Sequence, residues 1–336
     1  MAQYRKERLD RPIKARCEDI FALTSMREIL YLIFPRALLI VGVLIFPLLK
    51  GVVGLYWEKV LVITCVIGLL SLSWDLMAQV GLISLGQAFF FGVGAYITGI
   101  LNHKFSLPPF VTIPLGTIGG GIVSTLFLLP ALRARGVYFS ILTLIIPLLL
   151  SRLIEATKIF GGTEGLSGLT PFQNFWIETY LPIFALLVCL FGFRRLINSD
   201  YGLIVQGVRD NDRIVMSIGI NIYKIKAHIL FISSLVGAFA GSFITHYYRF
   251  VGLPAFALDY SILPLACAIL GGPGSFAGAL VGSFILVPLS EVLRVLGSLR
   301  VVFYSLILAV CILSLPEGIF HYIQRKYHQF ERIVEI

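Results

Sequence analysis

The stretch LSLSWDLMAQ, Leu70–Gln79, sets one carboxylate, Asp75, inside a long apolar run. An ionisable side chain in hydrocarbon is costly and is kept where it pairs, gates a path or relays a proton. Asp75 lies near the end of its run, so snorkelling to water, a local hydrogen bond, and a gate or helix-break contact all stay open. Arg152, Glu155, Asp259 and Glu291 sit near run ends and can reach water. The signatures of bond-making chemistry are missing. GGPGSFAG lacks the lysine of a P-loop, and there is no HExxH, no GxSxG and no cluster of metal ligands. His103, His228, His246, His321 and His328 fall at or beyond run ends and are expected at interfaces or in water. The chain is expected to be no enzyme and to hold no metal or cofactor of its own.

A second cluster is positional. RDNDRIVMSIGIN, Arg209–Asn221, interrupts the apolar pattern with a short amphipathic helix. Asp210 or Asn211 is a fitting N-cap, and Asp212 suits the positive end of the helix dipole. Ile214, Val215 and Ile218 are expected on one face. Gly219 is a natural stop, because glycine takes the left-handed conformation at little cost. Arg209, Arg213, Lys224 and Lys226 flank this apolar knob. Either anionic lipid or a groove on a soluble partner would cover it.

The elements that must position these residues follow from composition. The chain has 336 residues, 58% hydrophobic and only 13% charged, with a mean hydropathy of +0.92. A soluble domain carries about 25% charged residues. Apolar runs long enough to cross a bilayer recur throughout, and lipid forces such runs to be helical. The fold class is an all-α polytopic membrane protein of about ten transmembrane helices, expected at 37–56, 60–77, 83–101, 110–130, 137–155, 178–197, 227–247, 258–271, 276–293 and 301–320. The segments are a basic N-terminal stretch (1–36), a membrane domain (37–320) with a polar loop (198–226), and a C-terminal tail (321–336). With both termini cytoplasmic, most of the 27 Lys and Arg residues fall on the cytoplasmic side, as the positive-inside rule requires. That bias also accounts for the net charge of +9 without nucleic acid, for which no aromatic-rich basic patch is visible. No secretory leader is expected before the first span. Four of the five cysteines, Cys65, Cys189, Cys267 and Cys311, lie in apolar spans without CxxC pairing and behave as small hydrophobes.

Glycines concentrate in SLGQAFFFGVGAYITG (Ser84–Gly99), in Gly119–Gly121 and in LGGPGSFAGALVGSFI (Leu270–Ile285). Close helix packing and broken helices at a binding site both use them. The first and last of these segments are loosely alike and raise a five-plus-five inverted repeat.

Several motifs then occur in a telling order. GLISLGQAFFFGVGAYITGIL (Gly81–Leu101), RARGVYFSILTL (Arg133–Leu144), GGTEGLSGL (Gly161–Leu169), YGLIVQGVRDNDRIVMSIGIN (Tyr201–Asn221), LGGPGSFAGALVG (Leu270–Gly282) and LPEGIF (Leu315–Phe320) run across residues 70–330. Together they resemble the LivM-type permease subunits of branched-chain amino-acid ABC importers, to which urea-importer permeases are related. Thr163, Glu164 and Ser167 tilt the resemblance toward amino acid.

The resemblance implies half of a translocation pore. A homologous second permease would complete it, two cytoplasmic ATPases would carry ATP and Mg, and a periplasmic binding protein would deliver the amino acid. It places the chain in a bacterial or archaeal cytoplasmic (inner) membrane. It makes Arg209, Asp210, Asn211, Asp212, Arg213, Ile214, Val215, Ile218 and Gly219 the ATPase-coupling residues, although Ile214 and Val215 stand where alanines are usual. It points to Asp75, Ser84, Gln87, Phe90, Gly92, Gly94 and Tyr96 for the pathway, with Gln87 where histidine is common. Gly162, Thr163, Glu164 and Ser167 are then expected to meet the binding protein. The rivals are a urea or amide importer permease, an ion-coupled secondary carrier that needs Asp75, and a scaffold that only recruits a soluble protein.

Overall fold

The structure is a computed structural model that describes residues 4–8, 40–49, 54–134, 136–297, 299–314, 318–328 and 331–335. Most of the basic 1–36 segment, the start of the first expected span, and Leu315–Glu317 of the LPEGIF motif lie outside the described residues.

The centre is one helix, α1 (Leu55–Gln79). At about 1.5 Å per residue it is long enough for the roughly 30 Å hydrocarbon layer. Of its most apolar 18-residue window, 94% is buried by the rest of the chain, as expected for a helix apolar on every side. Around it stand α2 (Gln87–Phe105), α3 (Pro109–Leu128), α4 (Val137–Thr157) and α5 (Phe175–Ile197). Two short helices follow, α6 (Asp200–Asp210) and α7 (Asp212–Ser217). The chain returns through α8 (Ile222–Tyr248), α9 (Asp259–Gly271) and α10 (Phe276–Val292), and then α11 (Leu299–Ser314) and α12 (Ile319–His328).

Among the described residues six helical segments are long and apolar enough to cross a membrane: α1, α3, α4, α5, α8 and Leu253–Gly271, which joins a 3-10 turn to α9. The chain is an all-α class, polytopic membrane protein, helical apart from short connecting elements. Its only described strands form two short antiparallel pairs, β1 (Tyr4–Arg8) with β4 (Glu331–Glu335) and β2 (Leu166–Ser167) with β3 (Phe250–Val251).

Small residues set the tightest contacts. A Cβ on Gly94 of α2 would strike the carbonyl of Ala238 in α8, and one on Gly241 would strike that of Phe91. Helices in lipid gain by such close approach because the solvent offers no hydrophobic drive to associate them. Packing therefore accounts for the glycines of α2. Several buried hydroxyls are satisfied within their own helix: Thr64 donates to Val60 O at 2.7 Å and Ser283 to Ala279 O at 2.7 Å.

Three expectations change. The loop at 198–226 holds two helices, α6 and α7, since the extended backbone of Ser199 and of Asn211 starts each afresh, Asn211 with a capping bond from its side chain. The span expected from 83 begins at Gln87, because Val80–Gly86 is broken by a turn with Gly81 at φ +79°. His246 is buried rather than solvated, and both its ring nitrogens have partners.

Candidate functional site

The polar hairpin is built by capping. Asp200 stands in the first turn of α6 and Arg209 in its last, each matching the sign of the helix dipole at its end. Gly202, Val205 and Val208 face the bundle, while Leu203 is exposed. Asn211 then takes an extended conformation, and its side-chain oxygen accepts from Arg213 N at 3.1 Å. That is the N-cap that opens α7. Ile218 ends the helix, and Gly219 follows at φ +87°.

Ile214 and Ile218 point outward, 59% and 71% exposed, but Val215 is only 7% exposed and turns in against Gly207 of α6. Adjacent helical positions sit about 100° apart, so Val215 cannot share the face of its neighbour. Between α6 and α7 runs a shallow apolar groove lined by Leu203, Ile204, Gly207, Ile214, Val215 and Ile218, with Asp210 and Asn211 at its edge. Arg213 is exposed beside it. Asp212 occupies the first turn of α7.

Directly behind this hairpin lies a polar junction. Asp75 of α1 is buried, and its Oδ1 accepts from Gly274 N at 2.7 Å. One turn later Gln79 Nε2 donates to Gly274 O at 2.9 Å. Gly274 has φ +88° in the GGPG break between α9 and α10, a left-handed position suited to glycine. Arg209, the penultimate residue of α6, reaches the same place. A Cβ on Gly81 would lie 3.7 Å from Arg209 Cα, and one on Gly274 would lie 3.7 Å from Arg209 Nη1. Gly318, from the LPEGIF motif, packs on Gly272 with no room for a side chain. Of the readings left open for Asp75, the structure shows a hydrogen bond to a backbone amide at a helix break, with the side chain buried rather than snorkelling.

The other expected pathway residues are buried in and just before the first half of α2, Phe90 and Gly94 against α8, Gly92 and Tyr96 against Phe256. Trp74 Nε1 donates to Ser84 O at 2.7 Å, and Gln87 Oε1 lies 3.1 Å from Ser73 Oγ. Leu85 N donates to Thr143 Oγ1 at 3.0 Å and Ala88 N to Ser261 Oγ at 3.0 Å. One otherwise orphaned amide of the first turn, that of Ala88, is satisfied in this way by α9, and the amide just before the helix by α4. Phe90 is wholly buried against Gly237, and Gly92 lies under the ring of Phe256. Tyr96 stacks on Phe256 at 5.4 Å, and its hydroxyl is buried with no partner among the described residues. All of these residues face the interior of this chain.

At the other end, Gly162 is buried while Thr163, Glu164 and Ser167 are exposed or at the surface edge of the loop. Pairing of Leu166–Ser167 with Phe250–Val251 orders the loop. Beneath it is a junction that the sequence does not suggest. Asn102 donates to Leu107 O at 2.7 Å and accepts from Thr170 N at 3.0 Å, and His246 lies 2.6 Å from Thr112 Oγ1. Gln79 is detectable, since it falls four residues after Asp75 on the same helical face. The Asn102 junction draws on four separate segments and leaves no local signal.

Comparison with known proteins agrees with this architecture. The family model described as "Branched-chain amino acid transport system / permease component" matches residues 56–315. The high-affinity branched-chain amino acid transport system permease protein LivM of Salmonella typhimurium is 28% identical over 273 residues, 71% of this chain and 64% of that protein. Two proteins of Methanocaldococcus jannaschii, probable branched-chain amino acid transport permease proteins LivM and LivH, are 29% identical over 57% of this chain and 25% identical over 58%. The chain spans less than two thirds of each relative's own length, at 64%, 62% and 66%. No solved structure is significantly similar to the chain. With residues 56–315 inside that match, the chain belongs to the family of permease components of branched-chain amino acid transport systems.

Proposed function

We propose that the chain is the membrane-spanning permease subunit of an ATP-driven importer of branched-chain amino acids. The observation that carries this, beyond family membership, is the α6–α7 hairpin, which offers exposed Ile214, Ile218 and Leu203 over a rigid, capped frame. A knob of this kind is built to seat in a groove on a soluble ATPase. ATP and Mg are held by two such ATPases, and a homologous permease completes the pore. A periplasmic binding protein meets the outer loop at Thr163, Glu164 and Ser167. The protein sits in a bacterial or archaeal inner membrane with both ends in the cytoplasm. Pairing of β1 with β4 supports one side for both ends. About ten crossings in a five-plus-five arrangement remain the proposed topology.

In this mechanism the closing ATPases move the hairpin as a rigid body, and the bundle switches between two discrete packings rather than deforming smoothly. The switch is driven only if the ATPases bind the two states with different free energies. Ser84, Gln87, Phe90, Gly92, Gly94 and Tyr96 shape the pathway by holding the inner end of α2. Selectivity for the side chain rests with the binding protein.

The test is uptake by the full importer in proteoliposomes. Amino acid should accumulate only with ATP, and Ile214→Asp with Ile218→Asp should release the ATPases and reduce uptake to background. Uptake that survives both changes would remove the docking role from the hairpin.

A further inference from the structure

We propose that Asp75 is the positioning residue that carries movement of the α6–α7 hairpin into the break between α9 and α10. The proposal rests on that hairpin being the ATPase-docking element, and it adds the next link in the transmission.

Geometry supports each step. The first helix of the hairpin ends beside Arg209, whose backbone lies against Gly81 and whose guanidinium reaches Gly274. The same Gly274 is gripped from α1 at both of its polar groups, its N–H by Asp75 Oδ1 at 2.7 Å and its carbonyl by Gln79 Nε2 at 2.9 Å. Asp75 is therefore a clamp between the central helix and the glycine turn, with the arginine of α6 closing the third side. What the clamp requires of position 75 is an acceptor oxygen aimed at the Gly274 N–H, which a carboxylate or an amide can supply. The turn it holds is a two-glycine hinge, Gly272 at φ +113° and Gly274 at φ +88°, and Gly318 packs on it from the C-terminal side. Three distant motifs thus converge on one short turn.

Asp75 also has a feature that packing alone does not explain. Its Oδ2 is buried with no hydrogen-bond partner among the described residues. A buried, unsatisfied carboxylate oxygen costs stability, and a group retained in hydrocarbon at such a cost is expected to serve a function. An arrangement that is incompletely satisfied in one state is suited to a switch, because a second packing can complete it.

The test compares Asp75→Leu and Asp75→Asn in the full importer, reading amino-acid uptake per ATP hydrolysed together with ATPase copurification. Asn keeps an acceptor for Gly274 N without charge, so it should stay within about threefold of wild type, while Leu should lower uptake per ATP about tenfold with the ATPases still bound. Wild-type coupling in Asp75→Leu overturns the proposal. Equal loss in both variants also overturns it, since that outcome assigns the charge or a proton, not the clamp. Should Asp75→Leu fail to accumulate, Gln79→Leu cuts the second tie and keeps the carboxylate. A lowered ratio in Gln79→Leu supports the clamp and an unchanged one overturns it. Retention of the ATPases by Ile218→Asp would overturn the docking assignment itself, so failure of that premise is seen separately.

Discussion

His246 and Thr170 are 76 positions apart, yet the Nδ1 of His246 lies 2.8 Å from the Thr170 carbonyl. Its other nitrogen lies 2.6 Å from Thr112 Oγ1. A carbonyl only accepts, so Nδ1 carries the proton and Nε2 takes the Thr112 hydroxyl. One imidazole thus ties α8 to α3 and to the segment after the outer loop. His246→Ala leaves the Thr170 carbonyl without its ring donor, and the Thr112 hydroxyl keeps only the longer contacts to Pro108 O at 3.3 Å and Pro109 O at 3.4 Å. It should cost about 1–3 kcal/mol, visible as a lower thermal midpoint in detergent, with ATPase copurification unchanged. An unaltered midpoint would show that water or another donor replaces the ring.

The two faces of α7 separate docking from folding. Ile218→Asp alters an exposed position and should shift stability by no more than about 0.5 kcal/mol, while ATPase copurification is lost. Val215→Asp buries an unpaired charge against Gly207 and should destabilise the hairpin by several kcal/mol. Limited proteolysis within 198–226 distinguishes them, with faster cleavage expected only for Val215→Asp.

The cap of α7 is a single residue. Asn211→Ala removes the bond to Arg213 N and should cost about 1 kcal/mol, and Asn211→Asp should restore it. Hydrogen exchange at residues 212–217 reads the effect directly, and equal exchange in both variants would contradict the capping role.

Glycines of this chain are not equivalent. Gly94→Ala meets the backbone of Ala238 and should lower the yield of folded protein by overpacking, worth about 1–3 kcal/mol. Gly192, in α5, has no neighbouring element within 4 Å of the point a Cβ would occupy. Gly192→Ala should therefore be neutral or stabilise by up to about 1 kcal/mol. Size-exclusion profiles of the two variants test the contrast.

How much of this was legible depended on whether the cause was local. The helical spans are plain because lipid demands uninterrupted apolar runs. Asn211 and Gly219 can be placed because caps are chosen by one side chain or one φ angle. The helix α6 is hidden, since YGLIVQGV (Tyr201–Val208) reads as a polar connection until its buried Gly202, Val205 and Val208 are seen to share a face. Val215 groups with Ile214 by apolar character alone, and its burial is decided by Gly207 on another helix. The contact of Asp75 with Gly274 joins positions 199 residues apart. No window of sequence contains both.

The burial of α1 has a bearing on how the protein is made. This helix leaves the ribosome before nearly every segment that encloses it, and Ser71 and Asp75 find their long-range acceptor and donor only at Pro264 and Gly274. Until α9 and α10 are synthesised, its polar groups face lipid or the insertion machinery without those bonds. Maturation is therefore a late, concerted closure around an early-made rod, and chains halted before residue 274 should be recognised by membrane quality control and degraded.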